Sequence, residues 1–267
     1  GLKTLTGRYT VGFVDVEWED SEGLILEAEE TKLIGNELPF VLARIYYPSS
    51  LKEQEQTMNT DTTDNNAYGT WIPTSQYFPG YGYFLRLPTL VSSGIGRLLA
   101  GNVRIWAKEG LPLLPIADSG KEKLPVAIFS HGIAGMRTTY STICCEMASR
   151  GVVVVALEHR DGSAAMTVDR RGKVYPYQAG PSGLNLPLVD YEYRAAQLRH
   201  RTREMHSTFK FLTSLNEQGD FNSIIVTGDL LPKLLTQFKE RILIERLLLM
   251  GHSFGASTCL LTAQQLK

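Results

Sequence analysis

The apolar run Leu247-Leu248-Leu249-Met250 leads directly into Gly251-His252-Ser253-Phe254-Gly255, which leads directly into Ala256-Ser257-Thr258-Cys259-Leu260-Leu261-Thr262-Ala263. A short strand, a tight glycine-flanked turn and a short helix, in that order, restrict the fold more than any other stretch of the chain. The flanking glycines leave room for a close strand–helix crossing, and the serine stands at a strained apex that solvent can reach. Gly-x-Ser-x-Gly alone also occurs in surface turns; the strand before it and the helix after it favour a nucleophile elbow. Folds built around such an elbow supply an acid and then a histidine downstream of the serine. Lys267 stands 14 residues after Ser253, so both partners are expected outside this sequence.

Upstream, the pattern is that of a parallel α/β core over residues 125–267. Pro125-Val126-Ala127-Ile128-Phe129-Ser130 reads as a strand that breaks at His131-Gly132, and a helix is expected from Thr139 to Arg150, closed by Gly151. Val152-Val153-Val154-Val155-Ala156-Leu157 is apolar on both faces and suits a buried parallel strand. A long helix from Asp190 to Leu215, with Asp190 as its N-cap, carries Leu198, Met205, Phe209, Leu212 and Leu215 at helical spacing. Strand and helix alternate as in a mainly parallel sheet with right-handed crossovers and helices on both faces.

Residues 1–48 read as antiparallel β structure, with strands at Val11–Val16 and at Pro39–Tyr47, the second ended by Pro48. Residues 49–67 are polar and read as an exposed loop. Residues 68–114 are rich in aromatics, Gly and Pro with poor periodicity, and read as a segment that covers part of the core. The whole is expected to form one α/β domain, partial at its C-terminal end, without repeats. With 27 basic and 28 acidic residues, formal charge −1, no global field points to nucleic acid or to an anionic membrane. The three cysteines, Cys144, Cys145 and Cys259, have neither disulfide-framework nor zinc spacing, and no metal or cofactor is expected. No signal peptide or transmembrane segment is visible; a cytoplasmic and a secreted location both remain open.

Ser253 would attack an acyl carbonyl, and its hydroxyl needs a base oriented by an acid. None of the five histidines suits that role. His252 lies beside the serine and is expected to brace the turn. His200 and His206 sit among Arg199, Arg201 and Arg203, on what reads as a solvated helix face. His131 and His159 end two strands, and ordering of the loops there is the favoured role. The turn Ser130-His131-Gly132-Ile133-Ala134-Gly135 is either a plain β–α connection or, through the Ile133 N–H together with that of Phe254, an oxyanion hole.

Phe129-Ser130-His131-Gly132, Arg137-Thr138-Thr139-Tyr140-Ser141, Ala148-Ser149-Arg150-Gly151, Glu158-His159-Arg160-Asp161 with Ser163-Ala164, and the elbow together resemble the platelet-activating-factor acetylhydrolases of the plasma and type II intracellular kind. Arg44-Ile45-Tyr46-Tyr47-Pro48 and Trp71-Ile72-Pro73 extend the resemblance towards the N-terminus. It implies an α/β-hydrolase fold, incomplete here at the C-terminus, and a calcium-independent serine esterase. Such an enzyme cleaves acetyl, short or oxidised acyl chains from the sn-2 position of glycerophospholipids. By the resemblance Ser253 is the nucleophile and Ile133 and Phe254 are the oxyanion donors, while the aspartate and histidine match nothing in this sequence. Gly162 and Ala256 depart from the pattern, standing where an arginine and a glycine are usual. A phospholipid substrate would give the aromatic stretch 71–106, with Arg86, Arg97 and Arg104, a use at a lipid surface; simple packing over the sheet is the plainer use. A general carboxylesterase on the same fold and a noncatalytic lipid-binding remnant are the alternatives.

Overall fold

The structure, a computed structural model, describes residues 5–20, 34, 39–51, 68–169, 171–183, 190–219, 224–225 and 230–265. The strands are β1 (Tyr9–Glu19), β2 (Phe40–Leu51), β3 (Tyr68–Thr70), β4 (Arg104–Glu109), β5 (Leu124–Ser130), β6 (Val153–Glu158), β7 (Met166–Val168), β8 (Val174–Pro176), β9 (Ile224–Ile225) and β10 (Ile242–Gly251). The helices are α1 (Gly80–Leu85), α2 (Thr89–Ala100), α3 (Ile116–Ser119), α4 (Ser141–Ser149), α5 (Tyr191–Gln218), α6 (Leu230–Leu235) and α7 (Phe254–Gln265).

One eight-stranded sheet runs in the order β10-β5-β6-β2-β1-β4-β3, with β9 paired to β1. β10, β5 and β6 are parallel, β2 is antiparallel to β6 and to β1, and β4 returns parallel to β1. The all-apolar character of β6 follows from this position, because each of its faces meets a helix layer. Val153, Val155 and Leu157 join a core with Met205, Leu212 and Leu215 of α5, whereas Val154 and Ala156 join one with Cys144, Cys145 and Ala148 of α4. The three cysteines are buried and unpaired.

The expected helices and strands recur within a few residues, with informative differences. Pro48 does not end β2, which continues to Leu51. Pairing with β6 has already ended at Tyr46, and Pro48 lies at the register shift against β1, where its missing N–H leaves no ladder bond unmade. Of the polar stretch 49–67, Ser49–Leu51 therefore belong to a strand and 52–67 lie outside the described residues. Two strands, β3 and β4, emerge from the aromatic stretch. In β4 the buried Ile105 and Ala107 alternate with Arg104, Trp106 and Lys108, a pattern that the apolar Trp106 disguises. Asp190 does cap the chain before α5, but its carboxylate accepts from Ser182 N–H and Oγ–H and not from the helix.

Arg44, Arg137 and Glu158 are buried, and Asp15 partly so, where β1, β2 and β6 meet the loops. Asp15 receives two bonds from Arg44, at 2.6 and 2.7 Å, and two from Arg137, which also reaches Glu158 at 2.7 Å. Tyr77 and Thr167 hydroxyls donate to the other Glu158 oxygen. Burial alone would raise the Asp15 carboxyl, but the charges of Arg137 and Arg44 outweigh it and hold it well below the usual aspartate range. Its stabilising contribution is complete above the unfolded aspartate value of about 3.9 and is lost as pH falls below that. Urea denaturation across this acid range should show stability falling steeply below about pH 4, with a shallower slope in Asp15→Asn. Arg137→Met, which strands the buried Glu158 charge, should cost about 3 kcal/mol at neutral pH.

Candidate active site

β10 ends at Gly251 and α7 begins at Phe254, so the chain reverses over His252 and Ser253. Ser253 has φ of 54°, a left-handed conformation that side chains avoid, and it is exposed. The turn is tied by Gly255 N–H to His252 O and Ala256 N–H to Ser253 O, both at 2.9 Å. A Cβ on Gly255 would stand 2.0 Å from the Ser130 carbonyl oxygen, and one on Gly251 would stand 2.3 Å from the Gly255 carbonyl. Only glycine lets α7 leave the sheet this closely.

The loop after β5 lies against this turn. A Cβ on Gly132 would come within 3.3 Å of Ser253 Cβ, and His252 N–H donates to Ser130 O. Within that loop Ala134 N–H is spent on Ser163 O and Gly135 N–H on Gly132 O. The N–H groups of Ile133 and Phe254 donate to no acceptor among the described residues. Ser253, Phe254 and the Gly132-Ile133 peptide thus share one corner, with two unspent backbone donors beside an exposed hydroxyl.

Beneath the corner is a fully buried polar cluster in which Arg201 is the hub. Its Nη1 donates to His131 O at 2.7 Å, its Nε to Asp161 at 2.8 Å and its Nη2 to Ser163 Oγ, while its guanidinium lies 4.6 Å from the Phe254 ring centre. His131 accepts at Nε2 from the His159 N–H and contacts Gly132 O through Nδ1, which fixes the neutral tautomer with the proton on Nδ1. Burial, with the Arg201 charge second, holds both His131 and His159 below the usual histidine range. His200 is buried against Glu204, so the solvated face expected for it is corrected; His206, half-buried, is closer to that expectation. The charged run around Arg199, Arg201 and Arg203 concealed this, because α5 is buried around more than half its circumference and its Gln197 and Arg201 reach loop carbonyls and the Asp161 carboxylate.

A serine, a histidine and a carboxylate do line up: Ser130 Oγ is 2.7 Å from His159 Nε2, and His159 Nδ1 is 2.5 Å from Glu204. All three side chains are inaccessible, so the alignment orders loops and meets no substrate. His252, beside Ser253, bonds to Tyr140 Oη at 2.8 Å through Nδ1. Among the described residues no three His, Cys, Asp or Glu side chains group as a metal site. Arg201, Glu204 and Tyr140 are the contributors that sequence reasoning missed, and their distance in sequence from the elbow left no local signal.

The model of the family "platelet-activating factor acetylhydrolase, isoform II" matches residues 1–266. The chain belongs to this family. Among curated relatives, the platelet-activating factor acetylhydrolase of Cavia porcellus is 31% identical over 232 residues, covering 83% of this chain and 46% of that protein. A putative phospholipase A2 of Schizosaccharomyces pombe is 27% identical over 245 residues, covering 86% of this chain and 52% of that protein. The chain spans about half the length of the curated relatives it matches. A solved ferulic acid esterase from Streptomyces cinnamoneus superposes with a TM-score of 0.58 at 17% identity, covering 98% of this chain and 57% of its own. That likeness shows a shared α/β-hydrolase fold.

Strain at residue 253 has a measurable consequence. Ser253→Gly should be more stable than Ser253→Ala by about 1 kcal/mol, because only glycine adopts this φ freely; paired chemical denaturation curves would check it.

Proposed function

We propose that Ser253 is the nucleophile of a serine carboxylic-ester hydrolase, with the Ile133 and Phe254 N–H groups as its oxyanion hole. The observation that carries this is the exposed, left-handed Ser253 beside two unspent backbone donors. The Ser253 hydroxyl gives its proton to a base as its oxygen bonds to the acyl carbonyl carbon. Negative charge then develops on the carbonyl oxygen, where the two N–H groups stabilise it by a few kcal/mol each. Collapse expels the alcohol, which takes the proton back, and water repeats the sequence to free the acid. His131, His159 and His200 are buried, His206 lines a separate depression with Asp20 and Lys210, and His252 is turned to Tyr140. The reading therefore draws its base and orienting carboxylate from outside these 267 residues. Names of the relatives support an sn-2 acetyl or short acyl glycerophospholipid, such as platelet-activating factor, as substrate.

A lipid-surface contact through 71–106 is part of the proposal. In α2 the inward positions are small: Ser92 and Ala100 are buried, and a Cβ on Gly96 would meet the Phe78 carbonyl at 2.5 Å. The large residues face out, with Leu90 89%, Leu98 85% and Leu99 72% exposed and Leu85 and Leu87 close in sequence. A helix with small residues inside and leucines outside supports partial immersion in a lipid surface. Among the described residues no helix is long and apolar enough to cross a membrane.

In the full-length protein, Ser253→Ala should abolish labelling by an organophosphonate and lower ester hydrolysis by roughly four orders of magnitude or more. Surviving activity would refute the nucleophile. Labelling with turnover of simple esters but not of platelet-activating factor would favour a general carboxylesterase; vesicle binding without labelling would favour a noncatalytic lipid binder. Separately, the paired change Leu90→Ser and Leu98→Ser should weaken co-sedimentation with phosphatidylcholine vesicles by about tenfold or more, from the lost apolar transfer.

A further inference from the structure

Between α2, β4 and the start of α4 lies a cavity of about 330 Å³ with mostly apolar walls. The apolar residues Trp71, Leu99, Ala100, Val103, Ile105 and Trp106 line it together with Arg104, Ser141 and Thr142. We infer that this cavity binds one long unbranched hydrocarbon chain of a lipid, a deepening that rests on the ester-hydrolase reading for which lipid presents the chain. At roughly 30 Å³ per methylene, similar to a water's share of liquid volume, the space holds about ten carbons. The helix that supplies Leu99 and Ala100 is the one that turns Leu90 and Leu98 outward, so a chain leaving a lipid surface meets the cavity on the same element. Of the lining residues, Ser141 follows Tyr140, whose hydroxyl is bonded to His252 beside Ser253. Trp106, one of the lining residues, has a buried Nε1 with no hydrogen-bond partner among the described residues, a donor left for an oxygen of the bound molecule. A mostly apolar pocket with a few polar groups in its lining is the usual composition of a small-molecule site.

Trp71 and Trp106 are two of the chain's three tryptophans, and the third, Trp18, is buried against Phe211 with ring centres 4.5 Å apart. Tryptophan emission of the full-length protein, titrated with 12-bromododecanoate below its micelle concentration, should be quenched saturably. With 6-bromohexanoate the affinity should fall at least about tenfold, since each buried methylene is worth a factor of roughly four. Ala100→Phe, which fills the cavity, should weaken the long probe at least about tenfold, given several displaced methylenes. Val103→Phe tests the same wall should the first variant fold poorly. Ser253→Ala should quench as the parent does. Quenching unchanged by both filling variants but lost in the Leu90→Ser, Leu98→Ser pair would place the chain on the outer face and overturn the inference, as would the absence of saturation. Because binding is read without turnover, failure of the esterase assay and failure of this one are distinguishable.

Discussion

The Arg201 guanidinium holds together the end of the molecule where Ser253 lies. It fixes the carbonyl before Gly132, the carboxylate of Asp161 and the hydroxyl of Ser163, and it lies against the Phe254 ring. Both loops that border the corner are thereby referred to one buried fork on the longest helix. An arginine suits this task because its donors diverge at fixed angles and its charge persists under all conditions. A lysine could satisfy one of these acceptors at a time. Without a partner the buried charge would be prohibitive, which is why Asp161 is inaccessible beside it.

The parallel half of the sheet was plain in the sequence because its strands are buried on both faces and need no alternation. Val153–Leu157 shows this, as does Val126–Phe129. What stayed hidden was structure whose stabilisation is not apolar. β4 alternates, but Trp106 fills an outward position with an apolar ring. α5 carries Arg194, Gln197, His200, Arg201 and Glu204 into the interior, where Gln197 donates to the Asp161 carbonyl, Arg201 to the His131 carbonyl and Glu204 accepts from the Arg160 N–H, so hydropathy points the wrong way. α2 inverts the usual rule, with Ser92, Gly96 and Ala100 inside. No contrast of polarity separates its faces, only one of size.

At the site, the local motif was legible and the long-range support was not. Gly251, Ser253 and Gly255 announce a tight crossing once the apolar run before them and the helix after them are read with their spacing, and Ser253 is left-handed at its apex. The loop at Gly132 and Ile133 could be nominated because it is a glycine-rich turn at the end of a strand, and the structure makes that strand the neighbour of β10. Glu158, His159, Arg160 and Asp161 carried the resemblance, and all four are buried in bonds that connect separate strands, loops and α5. Their value is architectural: Arg137, Tyr77, Thr167, Glu17, Glu204 and Arg201 are tied to the end of β6 through them.

The cysteines lend the fold a built-in clock for its own opening. Burial raises the thiol of Cys144 to about 12 and that of Cys259 to about 11, and none of the three is paired. A soluble alkylating agent reacts with thiolate, so the native state is nearly inert to it and modification proceeds at the rate at which structure opens. Cys144 and Cys145 sit on α4 and Cys259 on α7, in the separate helix layers that cover opposite faces of the sheet. Alkylation resolved by residue would therefore tell whether the two layers breathe together or apart.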